Sequence, residues 1–134
     1  MLARSHKKPC RSPVARALMN VERLGFPRDC FDSAVATFLL CSVEQPQQGL
    51  TELKRVIKPE GYILLLEHVR PGNTLLGALF DALNPIIVRL WGANINRNTI
   101  YNVREAGLHI EHEINLLGNI VKLLICRRSD LTST

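Results

Sequence analysis

Two periodicities meet in the stretch LKRVIKPEGYILLLEH, residues 53–68. From Leu50 to Ile57 the apolar residues Leu50, Leu53, Val56 and Ile57 recur at spacings of three and four, which lines one face of a helix, while Glu52, Lys54 and Arg55 point elsewhere. Pro59 disfavours helical geometry at Lys58, and Gly61 lets the backbone reverse, so a tight turn is expected across Lys58–Gly61. Tyr62 to Leu66 then has no polar face, the pattern of a strand covered on both sides in a parallel sheet. Glu67 and His68 sit where that strand emerges, at the carboxyl end where open α/β sheets bind ligands.

The pattern on either side extends this unit. Ala17-Leu18-Met19 is a brief apolar run that reads as a short strand, followed by loop signals at Gly25, Pro27 and Arg28-Asp29. FDSAVATFLL, Phe31 to Leu40, is a second buried-strand candidate. Pro46 suits the first turn of the helix that runs to Ile57. Strand, helix and strand make a right-handed βαβ crossover with parallel strands. Beyond Arg70-Pro71-Gly72 lies a helical segment, Asn73 to Gly92, in which Pro85 is expected to force a kink or a split. Asn98 caps a further helix closed by Gly107. LHIEHEINL alternates apolar and polar residues, Gly118-Asn119 reads as a turn, and IVKLLIC completes an antiparallel hairpin at a sheet edge.

Charge changes the picture less than its total suggests. The net charge of +5 lies entirely in residues 1–16, which carry Arg4, Lys7, Lys8, Arg11 and Arg16 and no acid. The rest is balanced, which argues against a nucleic-acid partner. The basic segment reads as a solvated terminus, with an organellar presequence or an anionic-surface tether as alternatives. Cys10, Cys30, Cys41 and Cys126 are far apart, with no C-x-x-C spacing, so neither a metal site nor a disulfide framework is suggested. Free thiols fit a reducing compartment; the expectation is cytoplasmic, with mitochondrial or membrane-associated alternatives. Asp81, Pro85 and Arg89 interrupt the most apolar long segment, leaving it short of a membrane span.

The ordered set of elements resembles the second half of a class I S-adenosylmethionine-dependent methyltransferase, of the methyltransferase type 11 kind. FDSAVATFLLCSV resembles that family's fourth strand, LTELKRVIKPEGYILLLEH its next helix and the L-K-P-G-G turn into the fifth strand, and LMNVERLGFPRDCFD the segment before the fourth strand. Glu67-His68-Val69 and NPIIVRLWGANINRNT resemble motifs of the small-molecule and lipid branch. The implied fold is α/β: a partial Rossmann-like methyltransferase sheet with a parallel βαβ unit and a C-terminal antiparallel hairpin, lacking the first two strands. The implied organisation is a basic segment 1–16, a methyltransferase-like domain 17–128 and a tail 129–134.

Three departures qualify the resemblance. The glycine-rich loop after the family's first strand, and the acidic residue closing its second, have no counterpart; Met1-Leu2-Ala3 resembles a point about halfway through the domain. A fragment with weak donor binding is therefore expected, with the edge of its fourth strand unpaired and open to dimerisation. Asn20 stands where an Asp usually lies near the adenine, and Glu60 replaces the first glycine of the turn.

By the resemblance, the cofactor is S-adenosylmethionine, bordered by Asn20 and Val21 at the adenine and by Thr37 and Phe38 at the methionyl end. His68 is the candidate for orienting or deprotonating the acceptor, since a neutral imidazole can take a proton near pH 7. The acceptor is expected to be a small molecule or lipid. Leu75, Leu76, Leu79, Phe80, Ile86, Ile87 and Trp91 are greasy enough to form its lid or to touch a membrane surface. His109 and His112 are expected on opposite strand faces, not as shared metal ligands. The rival reading is a non-catalytic interaction or regulatory module on the same fold.

Overall fold

The computed structural model describes residues 13–68, 74–91, 98–117 and 120–129. Met1-Leu2-Ala3 and most of the basic segment, Arg70-Pro71-Gly72, the Gly118-Asn119 turn and nearly all of the tail lie outside the described residues. The elements are β1 (Phe31–Thr37), α1 (Pro46–Val56), β2 (Ile57–His68), α2 (Thr74–Trp91), α3 (Thr99–Glu105), β3 (Leu108–Leu117) and β4 (Val121–Arg128). They form a four-stranded sheet of order β1-β2-β4-β3, in which β1 and β2 are parallel and the other pairings antiparallel. This is the expected α/β arrangement, with its parallel crossover and terminal hairpin.

One face of the sheet is closed by α1 and α3. Ile63 and Leu65 of β2 face Cys126 and Leu124 of β4 and Ala34 and Ala36 of β1. Leu50, Leu53 and Val56 of α1, Val103 of α3 and Leu108 complete that core. The three-four spacing of α1 therefore does what it predicted. Asn98 Oδ1 accepts from the Tyr101 amide at 3.1 Å, and Gly107 turns the chain out of α3 at φ 70°, as expected of a cap and a terminator.

The structure corrects several expectations. Ala17–Met19 joins no ladder; Leu18 is 86% exposed, and the segment's only pairing is the isolated bridge of Asn20 with Arg23. Three apolar residues without a neighbouring strand gain too little burial to order as one. β1 stops at Thr37 rather than Leu40, because Phe38 takes a left-handed φ of 50°. β1 is also largely exposed, with Val35 at 71%: among the described residues it pairs only with β2, so its outer edge has no strand against it.

β2 alternates instead of being covered on both sides. Ile63, Leu65 and Glu67 are buried, whereas Leu64 and Leu66 on the other face are half-buried and Tyr62 is exposed beneath the Arg127 guanidinium, 4.1 Å from its ring centroid. No separate turn divides α1 from β2. Ile57 already pairs with Phe31, and the ladder resumes at Ser33 with Tyr62, so Lys58–Gly61 bulges out of a continuous strand. Gly61 is needed there for space, not for reversal: a Cβ would lie 2.4 Å from the Asp32 carbonyl oxygen and 2.6 Å from Ile57 Cγ2. Glu60 is exposed on the bulge, which explains why it is tolerated.

α2 is a single helix with Pro85 inside it, not two. Pro85 removes one amide donor, and the remaining hydrogen bonds of the eighteen-residue helix carry it past that point. Leu75, Leu79, Leu83, Ile86 and Leu90 are exposed along it. The side chains of Leu76, Phe80, Ile87 and Trp91 lie outside those described. No described helix is long and apolar enough to cross a membrane.

Candidate functional site

The carboxyl ends of the parallel strands β1 and β2 meet in a small, well-fixed mouth. The Phe38 amide donates to the Leu66 carbonyl at 2.8 Å, which continues the strand pairing one residue past β1. Phe38 then turns into the left-handed region, a conformation that costs a non-glycine residue about 1–2 kcal/mol. Its surroundings hold it there. Glu67, 1% exposed, reaches across from β2, and its Oε1 accepts from the amides of Leu39 at 2.8 Å and Leu40 at 2.9 Å. A buried carboxyl group thus binds the second and third amides after the strand, and the Leu40 side chain drops into the core.

The consequence is an aromatic pair at the opening. Phe38 and His68 stack with ring centroids 4.5 Å apart and an interplanar angle of 29°. His68 ends β2, and its carbonyl oxygen lies 3.3 Å from the Thr99 hydroxyl, which donates to it from the start of α3. Thr37 is exposed beside them. Thr37, Phe38 and His68 are therefore brought together, on neighbouring strand ends.

Asn20 and Val21 form a separate turn. Asn20 Oδ1 accepts from the Glu22 amide at 2.9 Å, and the Arg23 amide donates to the Asn20 carbonyl at 3.0 Å. Glu22 Oε1 accepts from the amide of Gln45, the residue before α1, at 2.7 Å. That bond fixes the turn at the amino end of α1, the same end of the sheet as Phe38. Val21 faces inward, with Gly49 of α1 beneath it, and packs against the core. Its side chain is spent on packing.

Farther along α1 the electrostatics are structural. Glu52 accepts from the Leu24 amide at 2.9 Å and pairs with Arg55, whose guanidinium also donates to the carbonyls of Leu24 and Phe26. The bond from Arg55, which outweighs the cost of burial and is helped by a smaller contribution from the Leu24 amide, holds the Glu52 carboxyl below the usual carboxylate range. Among the described residues no three His, Cys, Asp or Glu side chains converge as metal ligands. Burial pushes the Cys126 thiol up to about 12, so it is a packing residue and not a nucleophile.

With that geometry in hand, the chain can be set beside known proteins. A family model described as a methyltransferase domain matches residues 1–65. The ubiquinone/menaquinone biosynthesis C-methyltransferase UbiE of Hahella chejuensis is 28% identical over 118 residues, covering 85% of this chain and 47% of that protein. UbiE of Azotobacter vinelandii is 35% identical over 79 residues, 59% of this chain and 31% of that one. The crystal structure of an S-adenosylmethionine dependent methyltransferase from Mesorhizobium loti superposes with a TM-score of 0.73 at 17% identity, over 96% of this chain and 76% of that chain. Its fold is that of the class I S-adenosylmethionine-dependent methyltransferases, and residues 1–65, just under half of the chain, match the family model. The chain spans less than half the length of the curated relatives it matches.

S-adenosylmethionine is the cofactor of this methyltransferase family. The described residues fit one flank of such a group. Exposed Thr37 and the partly exposed Phe38 ring stand at the strand mouth, and the exposed Asn20 turn stands at the same end of the sheet. Sequence reasoning puts Thr37, Phe38 and His68 at the strand mouth, where they lie, but does not say what holds them. That Glu67 would accept from backbone amides is consistent with a buried carboxylate at a strand end. Which amides, 27 and 28 residues away, had no local signal.

Proposed function

We propose that this chain forms the acceptor-facing part of a methyltransferase that transfers a methyl group from S-adenosylmethionine to a small lipophilic molecule, of the quinone type that the UbiE relatives are named for. The observation that carries the reading is the Phe38–His68 stack at the carboxyl ends of β1 and β2. The donor, when bound, supplies an electrophilic methyl on a sulfonium; the protein aligns it with the acceptor and excludes water. In this reading Thr37, Phe38 and the Asn20–Val21 turn, the last through its backbone, border the donor. His68 faces the acceptor, orienting it and taking its proton at an imidazole nitrogen. The exposed apolar residues Leu75, Leu79, Leu83, Ile86 and Leu90 of α2 support a lipophilic acceptor and contact with a membrane surface.

The test uses the full chain, radiolabelled donor at saturating concentration and a demethylated quinol as acceptor. Label should pass into the organic phase. The change His68→Ala should lower kcat by about 10²–10⁴ while leaving donor affinity unchanged. Calorimetry on the same sample should give donor binding weaker than micromolar, because the described residues supply one flank of the donor site. Unaltered kcat in the His68 variant would remove His68 from the chemistry, and absence of labelled product at saturating donor would overturn the activity itself.

A further inference from the structure

Among the described residues two polar or charged side chains are buried, Glu67 at 1% and Thr99 at 2% exposure, and both stand at the His68 end of β2. Glu67 is spent on the amides of Leu39 and Leu40. Thr99, the first residue of α3, donates its hydroxyl to the His68 carbonyl at 3.3 Å, across 31 positions of sequence.

Neither helix formation nor packing accounts for that hydroxyl. Hydroxyl residues at a helix start ordinarily cap its free amides, but here Asn98 does so by accepting from the Tyr101 amide. A threonine in a helix can also bond back to a carbonyl one turn earlier, yet Thr99 bonds to a strand. For packing alone a valine of the same shape would serve, without the cost of burying an oxygen. The strand geometry shows what the hydroxyl supplies. The Leu66 carbonyl accepts from the Phe38 amide, so it points toward β1, and residues two apart in a strand present their carbonyls to the same side. The His68 carbonyl therefore points toward β1 as well, but β1 has ended at Thr37 and Phe38 has turned into the left-handed region. Thr99 takes the place of a strand neighbour.

We infer that Thr99 is a positioning residue for His68: its hydroxyl holds the His68 peptide plane, and with it the Cα–Cβ bond that aims the imidazole, while the Phe38 stack holds the ring. This rests on the reading of His68 as the group that faces the acceptor. A base must lie within hydrogen-bond reach of the proton it takes, so a ring that drifts lowers the rate without weakening the donor's hold.

The experiment compares, in the full chain, Thr99→Val, which keeps the shape and removes the hydroxyl, with Thr99→Ser, which keeps the hydroxyl. The first readout is the set of His68 ring-proton signals in NMR, assigned by their absence in His68→Ala and shifted upfield by the face of Phe38. They should move toward exposed-histidine values in Thr99→Val and stay in Thr99→Ser. The second is turnover of the demethylated quinol. In Thr99→Val kcat should fall about threefold to tenfold, one neutral hydrogen bond's worth, with the donor KM unchanged and Thr99→Ser close to wild type. In a His68→Ala background Thr99→Val should cost nothing more. Unmoved ring signals in the Val variant, a Ser variant as impaired as the Val one, or an equal loss in the His68→Ala background overturns the positioning role. A Val variant that no longer folds overturns it too, because the hydroxyl would then hold the domain and not His68. Unaltered kcat in His68→Ala, with ring signals that still respond to Thr99→Val, removes the acceptor role and leaves the positioning of the ring standing.

Discussion

Glu67 is the residue whose removal should tell most about how the mouth is built. It is buried, and one oxygen accepts from two amides, of Leu39 and Leu40. In Glu67→Ala both amides lose their acceptor, Leu40's in a buried place and Leu39's in a part-buried one. At about 1–3 kcal/mol for the buried donor and less for the other, the cost is roughly 2–4 kcal/mol. For a small domain whose whole stability is about 5–15 kcal/mol, that is a large fraction. Glu67→Gln keeps a carbonyl oxygen where Oε1 lies, so both amides retain an acceptor, but it puts an amide NH2 in the buried position of Oε2. The Gln variant should therefore lose about 1–2 kcal/mol and stand clearly between wild type and Ala.

The assay is urea unfolding followed by circular dichroism, with the slope compared across variants so that midpoint shifts can be read as stability. Amide hydrogen exchange at Leu39 and Leu40 adds the local measure: both should exchange faster in the Ala variant, before global unfolding. The same loosening should release Phe38 from its left-handed geometry and from His68. An Ala variant within about 0.5 kcal/mol of wild type, the range of ordinary surface substitutions, would refute the reasoning. So would a Gln variant as damaged as the Ala one, since the shared acceptor would then not be the dominant contribution.

Two further predictions concern other parts of the fold. Gly61→Ala should destabilise by about 1–3 kcal/mol, since its Cβ meets the Asp32 carbonyl oxygen and β1 must shift to admit it, whereas Glu60→Ala on the exposed bulge should be near neutral; urea midpoints check both. Glu52 ionises below its usual value of 4.5 in the folded state, so between its folded value and 4.5 the unfolded chain binds more protons and stability rises with pH. The Glu52–Arg55 contribution should accordingly be complete above about pH 4.5 and fade as pH falls through the folded value, and Glu52→Gln should flatten that limb of a stability–pH profile.

How far the sequence discloses this fold depends on the range of the interaction. Contacts within a turn or two of chain are legible: the apolar stripe of α1 and the Asn98 cap with its Gly107 terminator declare themselves in the sequence, whereas the alternation expected of β3 is broken by irregularities between Ile110 and His112 and between Asn115 and Leu117, and the strand is exposed from Glu111 on. The Lys58–Gly61 bulge was half legible. Pro59 and Gly61 announce a break in regularity, but whether the break reverses the chain or bulges from a strand depends on Asp32, which approaches Gly61 from another strand. Phe38 gave no signal, because nothing in an apolar run marks a residue for positive φ; Glu67 and Leu66 impose it. The burial of β1 was overestimated for a related reason. Apolar composition records what a strand can cover, and its neighbours determine what is covered. The bond from Thr99 to the His68 carbonyl spans 31 residues of sequence, and only the fold brings the two together.

The segment from Asn20 to Phe26 shows how a chain can be ordered without being a strand. It lies along α1 and is tied to it by side chains in place of a ladder: Glu22 accepts from Gln45 at one end, Glu52 from Leu24 farther along, and Arg55 reaches the carbonyls of Leu24 and Phe26 at the other. Between the first two ties Val21 rests on Gly49. Charge-assisted bonds to backbone groups are strong enough to do this where four or five apolar residues are lacking. The consequence bears on the proposed donor site. Asn20 and the strand mouth come to the same end of the molecule by independent means, one through this polar splint and the other through the β1–β2 register. Any contact Asn20 makes with the donor therefore depends on Glu22 and Arg55, residues that need touch no ligand at all.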